Sequence, residues 1–210
     1  MYLSRVEINF DNHRRIRDLT HLGAYHNWVE QSFPEEIEQH IRNRHLWRID
    51  ELNHKKYLLV LSESKPNLEK LEFYGVPGTA MTKRYDTMVE GLNVGETYQF
   101  RLTANPSYKE SKTGIVHQPR AMEFHQQWLL QRADKLGFEI LRDASGNYAF
   151  EIVTKEEPYL IKNKKKFRLS KTTYQGYLKI TNLEKFKKTL LQGFGREKAF
   201  GMGLMTIMPA

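Results

Sequence analysis

The chain has no cysteine, which excludes disulfides and thiolate metal sites and suits a reducing cytosol. No apolar run approaches the ~20 residues of a membrane-spanning helix. The opening Met1-Tyr2-Leu3-Ser4-Arg5-Val6-Glu7 lacks the layout of a signal peptide. A soluble cytoplasmic protein without membrane partners is therefore expected. Catalytic signatures are also missing. No Gly-x-Ser-x-Gly elbow offers a serine nucleophile. The Walker pattern, which ends in Gly-Lys-Ser/Thr, is absent, and the dinucleotide pattern opens a βαβ unit instead of closing a chain. His40 and His45 do not share a helix face, and no carboxylate cluster joins them. No metal and no cofactor are expected.

What is present is basic and able to fold. The 210 residues suit one large domain or two of about 100 residues. With 40% hydrophobic and 12% aromatic residues, the chain can bury a core. Thirty-three Lys and Arg against twenty-five Asp and Glu give a net charge of +8. That excess favours a polyanionic partner, although charge alone shows only non-specific attraction.

The periodicities predict an α+β fold. Residues 2–10 alternate as a strand, followed by a basic loop, Asn12-His13-Arg14-Arg15-Ile16-Arg17. Tyr25, Trp28, Val29 and Phe33 recur at helical spacing until Pro34 interrupts them. Residues 46–50 and 56–62 read as a hairpin around Asn53-His54, 68–73 as a short helix and 97–104 as a strand. Few periodic signals mark 75–95. This order is ferredoxin-like. After a polar connector at 109–114, Ile115-Val116 opens a second series. It comprises a helix over 120–136, a hairpin of 138–141 with 148–153, a strand pair of 161–170 with 173–180, a helix over 183–192 capped by Asn182 and stopped by Gly193, and a closing strand over 203–208. The expected boundaries are 1–108 and 109–210, two tandem ferredoxin-like (RRM-like) domains with an inserted basic β-hairpin and a C-terminal glycine-rich loop.

Three places can meet a phosphate backbone. The first is Gly193-Phe194-Gly195-Arg196-Glu197-Lys198-Ala199-Phe200-Gly201-Met202-Gly203-Leu204. Its glycines leave the backbone bare, successive N–H groups can form an anion-binding concavity, and Arg196 and Lys198 add charge. The second is the hairpin region of Lys162, Lys164, Lys165, Lys166 and Arg168, which could lay a basic ribbon along an RNA helix. The third is the end of the 97–104 strand, where Arg101 and Asn105 could reach a nucleotide. A solvated charged loop and a strand-face ion pair are the plain alternatives for the second and third.

The pattern Gly193-x-Gly195-x-x-Lys198-x-x-Gly201-x-Gly203-Leu204, followed by a short apolar tail, resembles the signature of the CRISPR-associated RNA-processing endonucleases. The opening Met1-Tyr2-Leu3-Ser4-Arg5-Val6, the stretch Phe100-Arg101-Leu102-Thr103-Ala104-Asn105-Pro106, and His26 followed by Phe33-Pro34 resemble the CasE branch of the type I-E system. The resemblance implies two ferredoxin-like domains, a basic hairpin that contacts RNA, and His26 as the catalytic histidine at the start of its helix. It implies metal-independent cleavage of CRISPR repeat transcripts at the 3′ base of the repeat hairpin, leaving 2′,3′-cyclic phosphate and 5′-hydroxyl ends. The implied partners are the repeat hairpin or mature crRNA and other Cascade subunits, with the free protein a monomer. Histidine can act as base or acid near neutral pH. His21 is the nearest rival and Tyr25 adjoins His26. Family members often carry tyrosine three residues before the histidine. Here that position is Gly23, so either Tyr25 replaces the phenol or the enzyme works without it. The alternative is a non-catalytic RNA-binding scaffold of the same fold.

Overall fold

The computed structural model describes residues 1–162 and 165–210, except for the side chain of Lys162. Contacts divide the chain into two units. The first comprises Met1–Glu90 with two later segments, Tyr159–Phe167 and Lys198–Gly201; the second holds the rest.

In the first unit, β1 (Tyr2–Glu7) leads through α1 (His13–Ile16) to α2 (Leu22–Gln31) and α3 (Pro34–Glu38). The hairpin of β2 (Leu46–Leu52) and β3 (Lys55–Ser62) follows, then α4 (Leu68–Leu71), β4 (Met81–Arg84) and α5 (Asp86–Glu90). The antiparallel sheet has the order β2-β3-β1-β4. The hairpin turns on Asn53 and His54, both at positive φ (51° and 60°), as the tightest right-twisting turn requires. The helical spacing around Trp28 and Val29 is real. Both are buried, and the Trp28 indole donates to the carbonyl of Leu71 at 3.1 Å, which ties α2 to α4.

The second unit begins with β5 (Thr97–Ala104), the short pair β6 (Tyr108–Lys109) and β7 (Val116–His117), and α6 (Met122–Ala133). Then come β8 (Phe138–Ile140) and β9 (Phe150–Glu156); the chain next supplies β10 (Tyr159–Lys162) and β11 (Lys165–Arg168), which fall with the first unit up to Phe167, and returns to the second with β12 (Lys171–Ile180), α7 (Leu183–Gln192) and β13 (Met205–Pro209). Its main sheet runs β13-β5-β12-β8, with β9 also on β12. Each sheet thus places its fourth strand beside its first and its third beside the first on the other side, the ferredoxin-like order. Asn182 caps α7 by accepting from the Lys185 N–H at 3.0 Å.

The expectations differ from the structure in four respects. The strand 97–104 does not close the first unit: β5 pairs along its length with β12 and β13. Its place is taken by β4, which lies within the stretch that carried few periodic signals and pairs with β1. The contacts accordingly part at 90/91, where the sequence reading placed 108/109. Residues 161–170 are not one strand. β10 and β11 pair with each other as a separate two-stranded sheet, and Val116 belongs to the small β6-β7 pair. Residues 138–153 do not pair as a hairpin of β8 with β9: both strands lie along β12, and the turn between them is held by a bridge of Arg142 with Tyr148 and a hydrogen bond from the Ala149 N–H to the Leu141 carbonyl.

Candidate functional site

In the first unit, α2 sets the geometry. Its cap is His21, whose Nδ1 accepts from the Gly23 N–H at 3.0 Å. His26 therefore sits in the second turn, which corrects the expectation that it begins the helix. The His21 ring also explains position 23, because a Cβ there would come within 2.8 Å of its Cε1. The space of a side chain at residue 23 is taken by an imidazole.

His26 is part-exposed, 35% at its side chain, with Nδ1 3.8 Å from Glu30 Oε1. Its ring meets the edge of Phe200 at 5.7 Å between centroids. Tyr25 points elsewhere, since neighbouring helix positions do not face each other. Its ring stacks on Trp47 at 6.0 Å and lies 6.4 Å from Trp28. Burial raises the Tyr25 pKa, so the phenol keeps its proton at neutral pH.

The segment Lys198–Gly201 belongs to this unit because Trp47 anchors it. The Trp47 indole donates to the Ala199 carbonyl at 2.9 Å. Gly201, at φ +78°, lies against the same ring; a Cβ there would come within 2.7 Å of it. Only glycine lets the backbone approach so closely at that φ. The Lys198 pKa is lowered, first by burial and then by the Arg44 charge. A part-buried ammonium and a part-exposed imidazole thus share one unit, linked through the short turn Lys198–Phe200.

The rest of the glycine-rich loop works mainly as packing. Gly193, Gly201 and Gly203 are buried, whereas Gly195 and Arg196 are exposed. In the second unit, the Gly203 N–H donates to the Thr103 carbonyl and Phe194 stacks on Trp128 at 5.8 Å. The expected row of free N–H groups is therefore not what these glycines provide. Asn105 is also corrected. It is 1% exposed, and its amide donates to the Ser170 carbonyl at 2.9 Å and to Gln118 at 3.2 Å, which fixes a loop and presents nothing to a nucleotide. Arg101 lies on β5 between β12 and β13, donating to Gln175 at 2.8 Å.

On the basic hairpin, Lys165, Lys166 and Arg168 are exposed. The Lys166 ammonium sits 3.6 Å over the Tyr159 ring, and Arg168 reaches Glu157 at 3.5 Å. Lys164 and the side chain of Lys162 lie outside the described residues. Among those described, no three His, Cys, Asp or Glu side chains gather as a metal site. Sequence reasoning overlooked Glu30, Trp47 and Phe200. For Glu30 a signal existed, since it lies four residues after His26 on one helix face.

Comparison with known proteins agrees with this architecture. A family described as "CRISPR associated protein" matches residues 1–209. The CRISPR-associated endoribonuclease Cse3 of Thermus thermophilus is 24% identical over 219 residues, covering 100% of both chains. A structure of Thermus thermophilus Cse3 bound to an RNA representing a pre-cleavage complex has a TM-score of 0.81 at 23% identity, covering 99% of this chain and 98% of that one. Cas6e from Escherichia coli K-12 has a TM-score of 0.67 at 20% identity, covering 100% of both chains. With the family's pattern matched from residue 1 to residue 209 and both ferredoxin-like sheets in place, the chain belongs to the CRISPR-associated protein family.

Proposed function

We propose that this chain is a CasE-type endoribonuclease that cuts CRISPR repeat transcripts once, at the 3′ base of the repeat hairpin, and keeps the product as a Cascade subunit. The observation that carries the reading is His26, an accessible imidazole on α2 beside the docked Lys198–Gly201 turn. Family membership and the relatives named endoribonuclease support it.

In the proposed reaction, His26 takes the proton of the 2′-hydroxyl as its oxygen attacks the adjacent phosphorus. The O2′–P bond forms, the P–O5′ bond breaks, and O5′ takes up a proton to leave as a 5′-hydroxyl beside a 2′,3′-cyclic phosphate. This chemistry needs proton transfer and charge stabilisation, and positioned side chains supply both. Lys198, on the same short turn as Phe200, would stabilise the charge developing on the phosphate oxygens. Tyr25, held protonated by burial, is the proposed donor of a hydrogen bond and not a base. Lys165, Lys166 and Arg168, with the exposed Gly195-Arg196 tip, would contact phosphates, which position the stem without reading its sequence.

The test is a denaturing-gel cleavage assay on a repeat hairpin in excess EDTA, comparing wild type with His26→Ala. Cleavage by wild type alone supports the reading; equal cleavage by both moves the active site elsewhere, with His21 and Tyr25 tested next. A scaffold reading has one observation in its favour: the Tyr25 ring is turned onto Trp47, away from His26. It predicts that both proteins bind the hairpin and neither cuts it.

A further inference from the structure

His26 is the outer end of a line of four ionisable side chains that continues into the first unit. Glu30 follows it by one helical turn. The same Glu30 oxygen that faces His26 Nδ1 at 3.8 Å lies 2.8 Å from Nδ1 of His45. His45 immediately precedes β2, is 3% exposed at its side chain, and stacks flat on Phe33 at 3.8 Å. Its other nitrogen, Nε2, faces Glu36 Oε2 at 3.2 Å. Glu36 is buried too. Burial works against its charge, but Ser64, Asn43 and His45 around it hold its pKa below the ordinary value.

A buried imidazole between two carboxylates is costly unless each partner matters to the other. A neutral imidazole has one N–H and can donate to one side only, whereas the imidazolium can present an N–H to both. With a proton on Nδ1, as the imidazolium or the Nδ1–H tautomer, His45 donates to Glu30 Oε1 and fixes it, because the stack on Phe33 leaves its ring no freedom to turn. Glu30 itself is 38% exposed and would otherwise sample several rotamers. The result is a carboxylate held in place beside Nδ1 of an accessible histidine. A group bonded to one ring nitrogen decides which tautomer is present and hence which nitrogen is free. Facing Nδ1, Glu30 favours the proton there and leaves Nε2 to accept.

We infer that Glu30 is the positioning residue for His26, orienting its ring and favouring the tautomer with Nε2 free, and that buried His45 holds Glu30 in register from behind. The inference rests on His26 being the base. At 3.8 Å the Glu30–His26 contact is longer than a hydrogen bond, and such contacts commonly tighten when substrate binds. Among the described residues, Glu30 is the carboxylate within ion-pair distance of His26. The other charged groups near this face are Lys198, on the turn whose Phe200 meets His26, and Arg44 beside Lys198.

The test compares wild type, Glu30→Ala and Glu30→Gln in single-turnover cleavage of a repeat hairpin across pH, with hairpin affinity and thermal melting measured on each. Glu30→Ala should slow cleavage roughly tenfold or more, about 1.4 kcal/mol per decade, with affinity within about twofold. Removing the carboxylate withdraws the fixed partner of Nδ1, so the preference for the tautomer with Nε2 free should be lost. Glu30→Gln keeps an acceptor but not the charge; it should recover part of the rate. If Glu30→Ala does not fold, Glu30→Gln carries the test. The ¹⁵N signature of the His26 ring in the free protein gives an independent readout: the Nδ1–H tautomer in wild type, a mixture once the carboxylate is gone. Wild-type rates and tautomer in the folded variants would overturn the inference. If His26→Ala cuts normally, the reading of His26 itself fails. If His26→Ala is inactive while Glu30→Gln behaves as wild type, only the role of Glu30 fails.

Discussion

Each unit carries a histidine early in the first long helix of its fold, and the two have opposite surroundings. His26 on α2 is part-exposed, with one carboxylate nearby and an aromatic edge against it. His125 on α6 is 0% exposed, with Nδ1 2.7 Å from the Thr172 hydroxyl and Nε2 2.9 Å from the Pro119 carbonyl. Burial lowers its pKa, only partly opposed by the Pro119 carbonyl. The residue type and the element are the same, but His125 has both nitrogens occupied and holds the base of a loop, while His26 has a nitrogen available to a ligand. A histidine in a helix is left open to a ligand or pinned according to what the neighbouring elements leave free.

The largest effect that would sharpen this contrast is at His26. His26→Ala should reduce single-turnover cleavage on the order of 10²–10⁴-fold, the usual worth of a general base, while gel-shift affinity for the hairpin and the melting temperature stay near wild type. His125→Ala should do the reverse, costing roughly 3 kcal/mol of stability through a cavity and two orphaned buried partners, with the cleavage rate of the folded fraction unchanged. Denaturant melts read the first quantity; a loss of rate without a loss of stability would erase the distinction.

A smaller effect tests the docked turn. Gly201→Ala places a Cβ against Trp47 at positive φ and should cost about 2 kcal/mol, seen as a lower melting midpoint. It should also slow cleavage, because Phe200 and Lys198 lose their seat. A variant with wild-type melting would mean that the turn does not depend on that contact. For pH, His125 binds its proton more readily unfolded than folded. Its contribution to stability is therefore complete above the ordinary histidine range of about 6.5 and is lost as pH falls through it. Melting temperature should drop on acidification in wild type and drop less in His125→Gln. The smallest effect is on the hairpin. Lys165→Ala and Lys166→Ala should each weaken RNA binding a few-fold and lower the slope of log affinity against log salt by about one, with no change in the cleavage step.

Much of the fold was legible. Element order gave two ferredoxin-like units, Trp28 and Val29 marked the buried face of α2, and Asn53-His54 marked the hairpin turn. The sequence misled where pattern and context part. Met81–Arg84 is a short, mostly exposed edge strand whose side chains carry no apolar alternation, so β5, which alternates cleanly, was assigned its role. Asn105 looked like a ligand-facing amide because polarity at a strand end does not reveal burial. The glycines of the C-terminal loop suggested an anion cradle; what Gly201 and Gly203 provide is close approach to Trp47 and to β5, which depends on residues a hundred or more positions away. His26 was singled out by its resemblance to a family pattern. Its Glu30 neighbour was readable from helical spacing, but His45 and Glu36 behind it were not, since only the tertiary fold brings that loop under α2.

The first unit includes the Lys198–Gly201 turn, although its sheet is complete by Glu90. On a ribosome adding about 5–20 residues per second, the sheet can form roughly 5–20 s before that turn exists. The surface around His26 is therefore completed only after more than a hundred further residues have followed the sheet. A nascent chain built in this order has the sheet of its first unit assembled while the surface around the proposed base is still incomplete.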